Sequence, residues 1–413
     1  MPDRPRTVQV EDYEPLVGRD AVARVRDKAH SLRGLHVAHI NSTYYGGGVA
    51  ELLSSLTLLM NGAGIKTGWR VIQGAPDFFS ITKKMHNALQ GAEINLSDRK
   101  KEIYEEIIYE NVIRNHLDQH NFVFIHDPQP LAMIRHYKRN GPWVWQCHVD
   151  LTRPDPGTWR YLGPFVERYD AAVFSLEDYR QELDTPQVFF MPAINPFSIK
   201  NRALDDGDCR ERFEHYDIPT DLPLVVQVSR FDRWKDPEGV IRAFKIARKK
   251  IPCRLVLLGN VAADDPEGHE VYKALLDERS DEILILSCQD TALVNALQCR
   301  AAVVVQKSLR EGFGLTVTEA MWKGAAVIGG NVGGIRRQIK DGVNGFLVSS
   351  VEETAERIVQ LVRDKALRKR LGKEARETVK TGFLMIRYLE DYLDLIGSFE
   401  TLYRYRPGRR KAV

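Results

Sequence analysis

The stretch LVVQVSRFDRWKDPEGVIRAFKIARKKIPCRLVLLG, residues 224–259, decides the fold. It opens on an apolar, β-branched run at 224–229 and closes on another at 254–259. Neither run alternates polar with apolar, so each reads as a strand covered on both faces. The stretch between them reads as an amphipathic helix. Asp236 is its N-cap, Pro237 suits its first turn, and Val240, Ile241, Phe244 and Ala247 form one apolar stripe. Arg248, Lys249 and Lys250 then complement the negative end of the helix dipole.

The same pattern repeats in both directions. Downstream lie ILILS (283–287), AVVVQ (302–306) and AAVIGG (325–330). Upstream lie LHVAHI (35–40), FVFIH (122–126), WVWQCHV (143–149), AAVFS (171–175) and VFFMP (188–192). Strands separated by helices indicate parallel sheets. The polar, proline-bearing run MPAINPFSIKNRALDDGD interrupts the series and puts a domain junction near residue 195. The expected class is α/β, with two Rossmann-like doubly wound domains, 1–195 and 196–384, facing each other across a cleft. The final helix candidate begins at 385, follows no further strand, and is expected to pack back on the N-terminal domain. It leads into the basic tail RYRPGRRKAV, which reads as a solvated terminus.

Composition narrows the class of function. The chain has 413 residues, 43% hydrophobic and 28% charged, with a net charge of +3. That balance argues against nucleic acid as the partner. No apolar run approaches the ~18 residues of a membrane span, and the N-terminus lacks a signal-peptide core. Cys147, Cys209, Cys253, Cys288 and Cys299 are scattered and form no C-x-x-C pair, which disfavours a zinc site or a disulfide framework and fits a reducing cytoplasm.

In doubly wound sheets, ligands bind beyond the carboxyl ends of the strands, so the polar residues there carry the functional signal. Gly46, Gly47 and Gly48 follow the first strand and precede a helix. They would let backbone N–H groups approach a phosphate or a sugar, although three glycines can also be only a tight turn. Glu51 stands where a dinucleotide fingerprint needs glycine, and no Gly-Lys-Ser/Thr follows. His126, Asp127, His148 and Asp150 end two strands of the first sheet. Two His-Asp pairs in such positions suit sugar hydroxyls as well as they suit structural roles. Arg230 and Lys235 flank a helix N-terminus, where two cations would ordinarily repel one another; a diphosphate between them makes sense of the arrangement, and solvated surface cations are the alternative. In REGFGLTVTEAMWKG (310–324), Glu311 and Glu319 bracket a glycine loop, and although they could be two surface glutamates, the loop's glycines argue for a site. A helix starting near Thr316 would put Glu319 in its first turn. Carboxylates accept from vicinal hydroxyls, while the amides of Gly312, Phe313, Gly314 and Leu315 suit phosphate oxygens.

Taken in order, the glycine loop, His148, the Arg230/Lys235 pair and the E-x7-E segment resemble the retaining family-4 glycosyltransferases of GT-B fold. HDPQPLAMI, CHVDLT, VSRFDRWKDP and REGFGLTVTEAMWKG are similar more narrowly to the trehalose glycosyltransferring synthases. The resemblance spans nearly the whole chain. It implies a reversible transfer of glucose from a nucleoside diphosphate glucose to free D-glucose, giving α,α-trehalose. By the same resemblance, Arg230 and Lys235 bind the diphosphate, Glu319 the ribose and Glu311 the transferred glucose. Gly46, Gly47 and Gly48 approach the donor, His148 lies beside the donor glucose, and Gly259 lies near the base. His126, Asp127, Gln129, His148 and Asp150 become acceptor contacts. No metal or cofactor is required, though a loosely held Mg²⁺ is compatible, as is a homodimer. One departure stands out. The broad family continues its late glycine motif as G-G-x-x-E, whereas VGGIRRQI here carries Arg336, Arg337 and Gln338. Three readings compete: a related transferase with another acceptor, a non-catalytic two-lobed sugar or nucleotide sensor, and an NAD-dependent oxidoreductase.

Overall fold

Burial follows the apolar runs. The strands at Phe122–His126, Trp143–Cys147, Ala171–Phe174, Leu224–Val228, Arg254–Gly259, Val303–Gln306 and Val327–Gly330 are buried at every residue. The computed structural model describes residues 7–45, 47–260 and 266–404. Gly46 and the basic tail from 405 onward, both singled out above, lie outside the described residues. The chain divides into two compact units, Met1–Pro192 with Met385–Val413, and Ala193–Leu384.

The first unit holds β1 (His36–Asn41), β2 (Lys66–Val71), β3 (Phe122–His126), β4 (Trp143–Cys147), β5 (Ala171–Phe174) and β6 (Gln187–Phe189). They form one parallel sheet in the order β2-β1-β3-β4-β5-β6. The helix α1 (Gly48–Gly62) carries the chain from β1 back to β2. The C-terminal helix (Met385–Arg404) belongs to this unit and is fixed to the helix Arg19–Ser31 by Lys28, whose Nζ lies 2.9 Å from Glu390 and 2.7 Å from Asp394.

The second unit holds β7 (Leu224–Val228), β8 (Arg254–Gly259), β9 (Ile283–Ser287), β10 (Val303–Gln306), β11 (Val327–Gly330) and β12 (Phe346–Val348). Its parallel sheet runs β12-β11-β10-β7-β8-β9, which is the nucleotide-binding Rossmann order. The helix α2 (Pro237–Arg248) follows β7, and α3 (Leu315–Trp322) follows β10. Asp236 caps α2 through its Oδ1, which accepts from Gly239 N–H at 3.1 Å. Val240, Ile241, Phe244 and Ala247 are all buried beneath that helix.

Two strands escaped the periodicity reading. Both β2 (KTGWRV) and β12 (FLV) are edge strands. None of the residues of β2 is fully buried, and β12 is only three residues long, so neither carries a continuous apolar signal. Among the described residues, no helix is long and apolar enough to cross a membrane.

Candidate active site

In the second unit the strand order reverses between β7 and β10, the switch point where doubly wound sheets hold ligands. The two loops leaving those strands are laced together. Leu309 N–H donates to the Trp234 carbonyl at 2.8 Å. Lys235 Nζ donates to Glu311 Oε2 at 2.6 Å, and Lys307 Nζ donates to Asp236 Oδ2. Ser308 Oγ donates to the same Glu311 oxygen at 3.1 Å, and Gln227 Nε2 holds the Lys235 carbonyl at 2.8 Å. Glu311 and Lys235 are 10% and 20% exposed as side chains, so the pair meets largely out of water. The two cations expected to repel one another therefore do not. Lys235 is met by Glu311, and Arg230, 36% exposed, lies 4.0 Å from Asp232. Cation placement near the helix end survives, but the repulsion argument for it is corrected.

The E-x7-E segment departs from expectation in a second way. The helix α3 starts at Leu315 behind Gly314, which adopts φ 91° as N-cap. Glu319 is thus its fifth residue, and the first turn carries no acidic side chain. Stabilisation of Glu319 by the helix end gives way to an ion pair, since its fully buried Oε1 lies 2.8 Å from Lys200 Nζ. The first-turn amides of Leu315 and Thr316 have no carbonyl partner inside the helix, as every helix start dictates. Phe313 is buried and packs against Phe383, with ring centroids 5.7 Å apart.

Gln338 ties the loop to α3 and holds its shape. Its Nε2 donates to the Phe313 carbonyl at 2.7 Å, and its Oε1 accepts from Thr318 Oγ1 at 2.7 Å. Arg336 and Arg337 beside it are exposed. Gly334 lies so close to this loop that a Cβ would sit 2.3 Å from Phe313 Cα. Gly312 lies within the loop, and Gly259 ends β8, where a Cβ would fall 2.5 Å from the Ser229 carbonyl oxygen. Only glycine lets the β7 loop cross there.

In the first unit the switch point lies between β1 and β3. After β1, Gly47 adopts φ 86° as N-cap of α1, and Gly48 is its first residue. Across the sheet His39 pairs in register with Phe124, and His126 pairs with Gln146. Each next histidine stands two residues beyond that partner, so His39, His126 and His148 share one face. Their rings join nitrogen to nitrogen. His39 Nδ1 is 3.0 Å from His126 Nε2, and His126 Nδ1 is 3.0 Å from His148 Nε2. Gln146, on the same face, bonds the hydroxyls of Tyr388 and Tyr392 from the C-terminal helix.

This arrangement corrects the assignment of His126. It is wholly buried with both ring nitrogens bonded, so it has nothing left to offer an acceptor. Burial holds all three imidazoles below their ordinary pKa, His39 at about 3. Asp127 adopts φ 61°, and its Oδ1 accepts from His148 N–H at 2.8 Å. Its pKa is raised by burial, with the His148 backbone N–H opposing. Gln129 keeps a buried Oε1 without a hydrogen-bond partner. Asp150 Oδ1 accepts from the Thr152 amide at 2.9 Å and from its hydroxyl at 2.5 Å.

Sequence reasoning missed His39, Lys200, Lys307, Ser308 and the role of Gln338. Only His39 left a signal, as one of two histidines inside the apolar run LHVAHI. Among the described residues no group of three or more His, Cys, Asp or Glu is placed to hold a metal ion.

Comparison with known proteins bears on both units. The family model described as "Trehalose synthase, N-terminal domain" matches residues 39–181, and "Glycosyl transferases group 1" matches 208–378. A trehalose synthase from Thermococcus litoralis is 42% identical over 400 residues, covering 95% of this chain and 97% of its own. One from Rubrobacter xylanophilus is 38% identical over 398 residues, covering 93% and 95%. Among solved structures, a UDP-forming α,α-trehalose-phosphate synthase from Burkholderia xenovorans in complex with glucose-6-phosphate matches with a TM-score of 0.70. It covers 89% of this chain and 100% of its own at 13% identity, a likeness of fold alone.

Proposed function

The chain belongs to the trehalose synthase family of GT-B glycosyltransferases, and on that premise we propose that it joins glucose from a nucleoside diphosphate glucose to free D-glucose, with retention. The products are α,α-trehalose and the nucleoside diphosphate, and the reaction runs in both directions. The observation that carries this reading is the Lys235–Glu311 pair, fixed where a Rossmann-ordered sheet reverses.

In the forward reaction the bond from the donor's anomeric carbon to the diphosphate oxygen breaks. A bond from that carbon to the acceptor's anomeric oxygen forms on the same face. The acceptor proton passes to a departing phosphate oxygen. Arg230 and Lys235 take up the charge on the leaving diphosphate, aided by the first-turn amides of α3. Glu311 accepts from hydroxyls of the transferred glucose, and Glu319 accepts from the ribose hydroxyls. Gly259 leaves room beside the base. His148 lies beside the donor glucose, while Asp127, Gln129 and Asp150 contact the acceptor. The unpartnered Gln129 Oε1 supports that last assignment, because a buried acceptor calls for a donor such as a sugar hydroxyl.

The test is an endpoint assay with UDP-, ADP- or GDP-glucose, with and without D-glucose, and with or without Mg²⁺. Nucleoside diphosphate release that requires glucose and yields trehalose is the expected result, and it also identifies the preferred base. Conversion of maltose to trehalose with no nucleotide present would overturn the reading. So would inactivity with all three donors.

A further inference from the structure

The chain of imidazoles has two unlike ends. His39 is wholly buried and stacked on Phe124, with ring centroids 4.9 Å apart, and its Nε2 has no hydrogen-bond partner. His148 is half-buried, and its Nδ1 has no partner among the described residues. Three neutral imidazoles carry one N–H each, so two proton arrangements satisfy both ring–ring bonds. In one, His39 Nδ1–H donates to His126 Nε2, His126 Nδ1–H donates to His148 Nε2, and His148 keeps its proton on Nδ1. In the other, every proton points inward and His39 is left with a buried N–H that no acceptor meets. An orphaned buried N–H is the rarer defect in folded proteins, so the outward arrangement prevails.

The geometry points to His126 and His39 as positioning residues, a two-ring relay that holds His148 neutral, as its Nδ1–H tautomer, with one donor ready for the sugar beside it. This rests on the reading of His148 as a contact of the donor glucose. A neutral donor suits that place. Positive charge builds at the anomeric carbon as the diphosphate leaves, and an imidazolium nearby would oppose it. His126 cannot be replaced by an arbitrary hydrogen-bonding residue, because it must present nitrogens at both ring edges.

Two measurements test the relay. The first is ¹⁵N NMR of the full chain labelled at histidine, without substrate. His148 should show a protonated Nδ1 and a bare Nε2. The second compares variants at His126. Asn places its amide where Nδ1 was and keeps the bond to His148. Gln places it where Nε2 was and keeps only the bond to His39. His126→Phe and His126→Gln should lower kcat by about 10- to 100-fold with little change in donor KM. His126→Asn, which keeps the donor to His148 but loses the bond to His39, should fall between these variants and the wild type. Equal kcat in the folded Phe variant and the wild type would overturn the proposal, as would a protonated Nε2 on His148. If the variants do not fold, the tautomer in the wild type decides alone. A wild type that makes no trehalose would sink the functional reading, while the NMR measurement would still judge the relay.

Discussion

The loops after β7 and β10 meet through formal charges, Lys235 on Glu311 and Lys307 on Asp236. The ends of β1, β3 and β4 meet through neutral rings, His39 to His126 to His148. Both clusters stand at the switch point of a parallel sheet, so topology does not distinguish them. Ligand chemistry does. A diphosphate brings negative charge, and paired cations can transfer their partner from Glu311 to phosphate at modest cost. Glucose brings only hydroxyls, which neutral donors and acceptors recognise without a desolvation penalty for ions. Under the proposed function the charged cluster faces the diphosphate and, through Glu311, the transferred glucose, while the neutral rings face the sugars.

The largest expected effect comes from uncharging the second unit's cluster. Glu311→Gln keeps the shape of the side chain and the Ser308 contact but removes the anion facing Lys235. Trehalose formation should fall by roughly 100-fold or more, about 3 kcal/mol of transition-state stabilisation. Nucleoside diphosphate affinity, measured by calorimetry, should stay within a few fold. An equal loss in both would place Glu311 on the nucleotide rather than on the glucose.

Lys235→Met should act in the complementary way. It removes one charge-assisted bond to the diphosphate, worth about 1.5–3 kcal/mol, so donor KM should rise by roughly 10- to 100-fold. It also leaves Glu311 without its ammonium partner. The double variant with Glu311→Gln should therefore be less impaired than the two separate losses combined. Strict additivity would mean that the pair is not a unit.

The neutral cluster can be challenged by pH. His39 has a folded pKa of about 3, far below its unfolded value, and those of His126 and His148 are lowered as well. A histidine kept neutral by burial binds fewer protons folded than unfolded. Its contribution is complete above the unfolded pKa and is lost as pH falls below that value. Stability measured by urea unfolding should therefore drop by about 1.4 kcal/mol per pH unit for His39 alone, starting near pH 6.5. His39→Phe should flatten that slope by one proton. An unchanged slope would mean that His39 is not held neutral.

These clusters were not equally legible in the sequence. Ten apolar runs announced ten of the strands, and Asp236, Pro237 and the stripe beneath α2 were read correctly because capping and periodicity are local. Glu311 and Lys235 stood out as charges in glycine- and proline-marked loops. Their pairing did not, since it joins residues on loops from two different strands. Lys200 and Glu319 are more distant still in the chain. The histidine relay was least visible. It requires β1, β3 and β4 to be neighbours and each ring to stand two residues beyond its predecessor's register partner. Strand order and register are fixed by packing of whole layers, and single runs do not record them. His126 was consequently read as an open rim residue when both its nitrogens are engaged.

Asp127 gives the smallest and most discriminating effect, because its carboxylate accepts from the backbone N–H of His148 in the neutral cluster. Burial raises its pKa above the ordinary carboxylate value. The sign is opposite to that of a stabilising carboxylate. The folded state favours the protonated form, so stability is lost as pH rises through the folded pKa, and the ionised group is a cost at neutral pH. Asn tolerates the same positive φ and keeps an oxygen for His148 N–H. Asp127→Asn should therefore melt no lower than the wild type at pH 7 and be more stable by up to about 1 kcal/mol. That advantage should shrink as the pH is lowered through the folded pKa. If Asp127 is retained for the acceptor, KM for glucose should rise several-fold while donor KM holds. A variant that is more stable and kinetically unchanged would remove Asp127 from the acceptor site and leave Gln129 and Asp150 to hold the sugar.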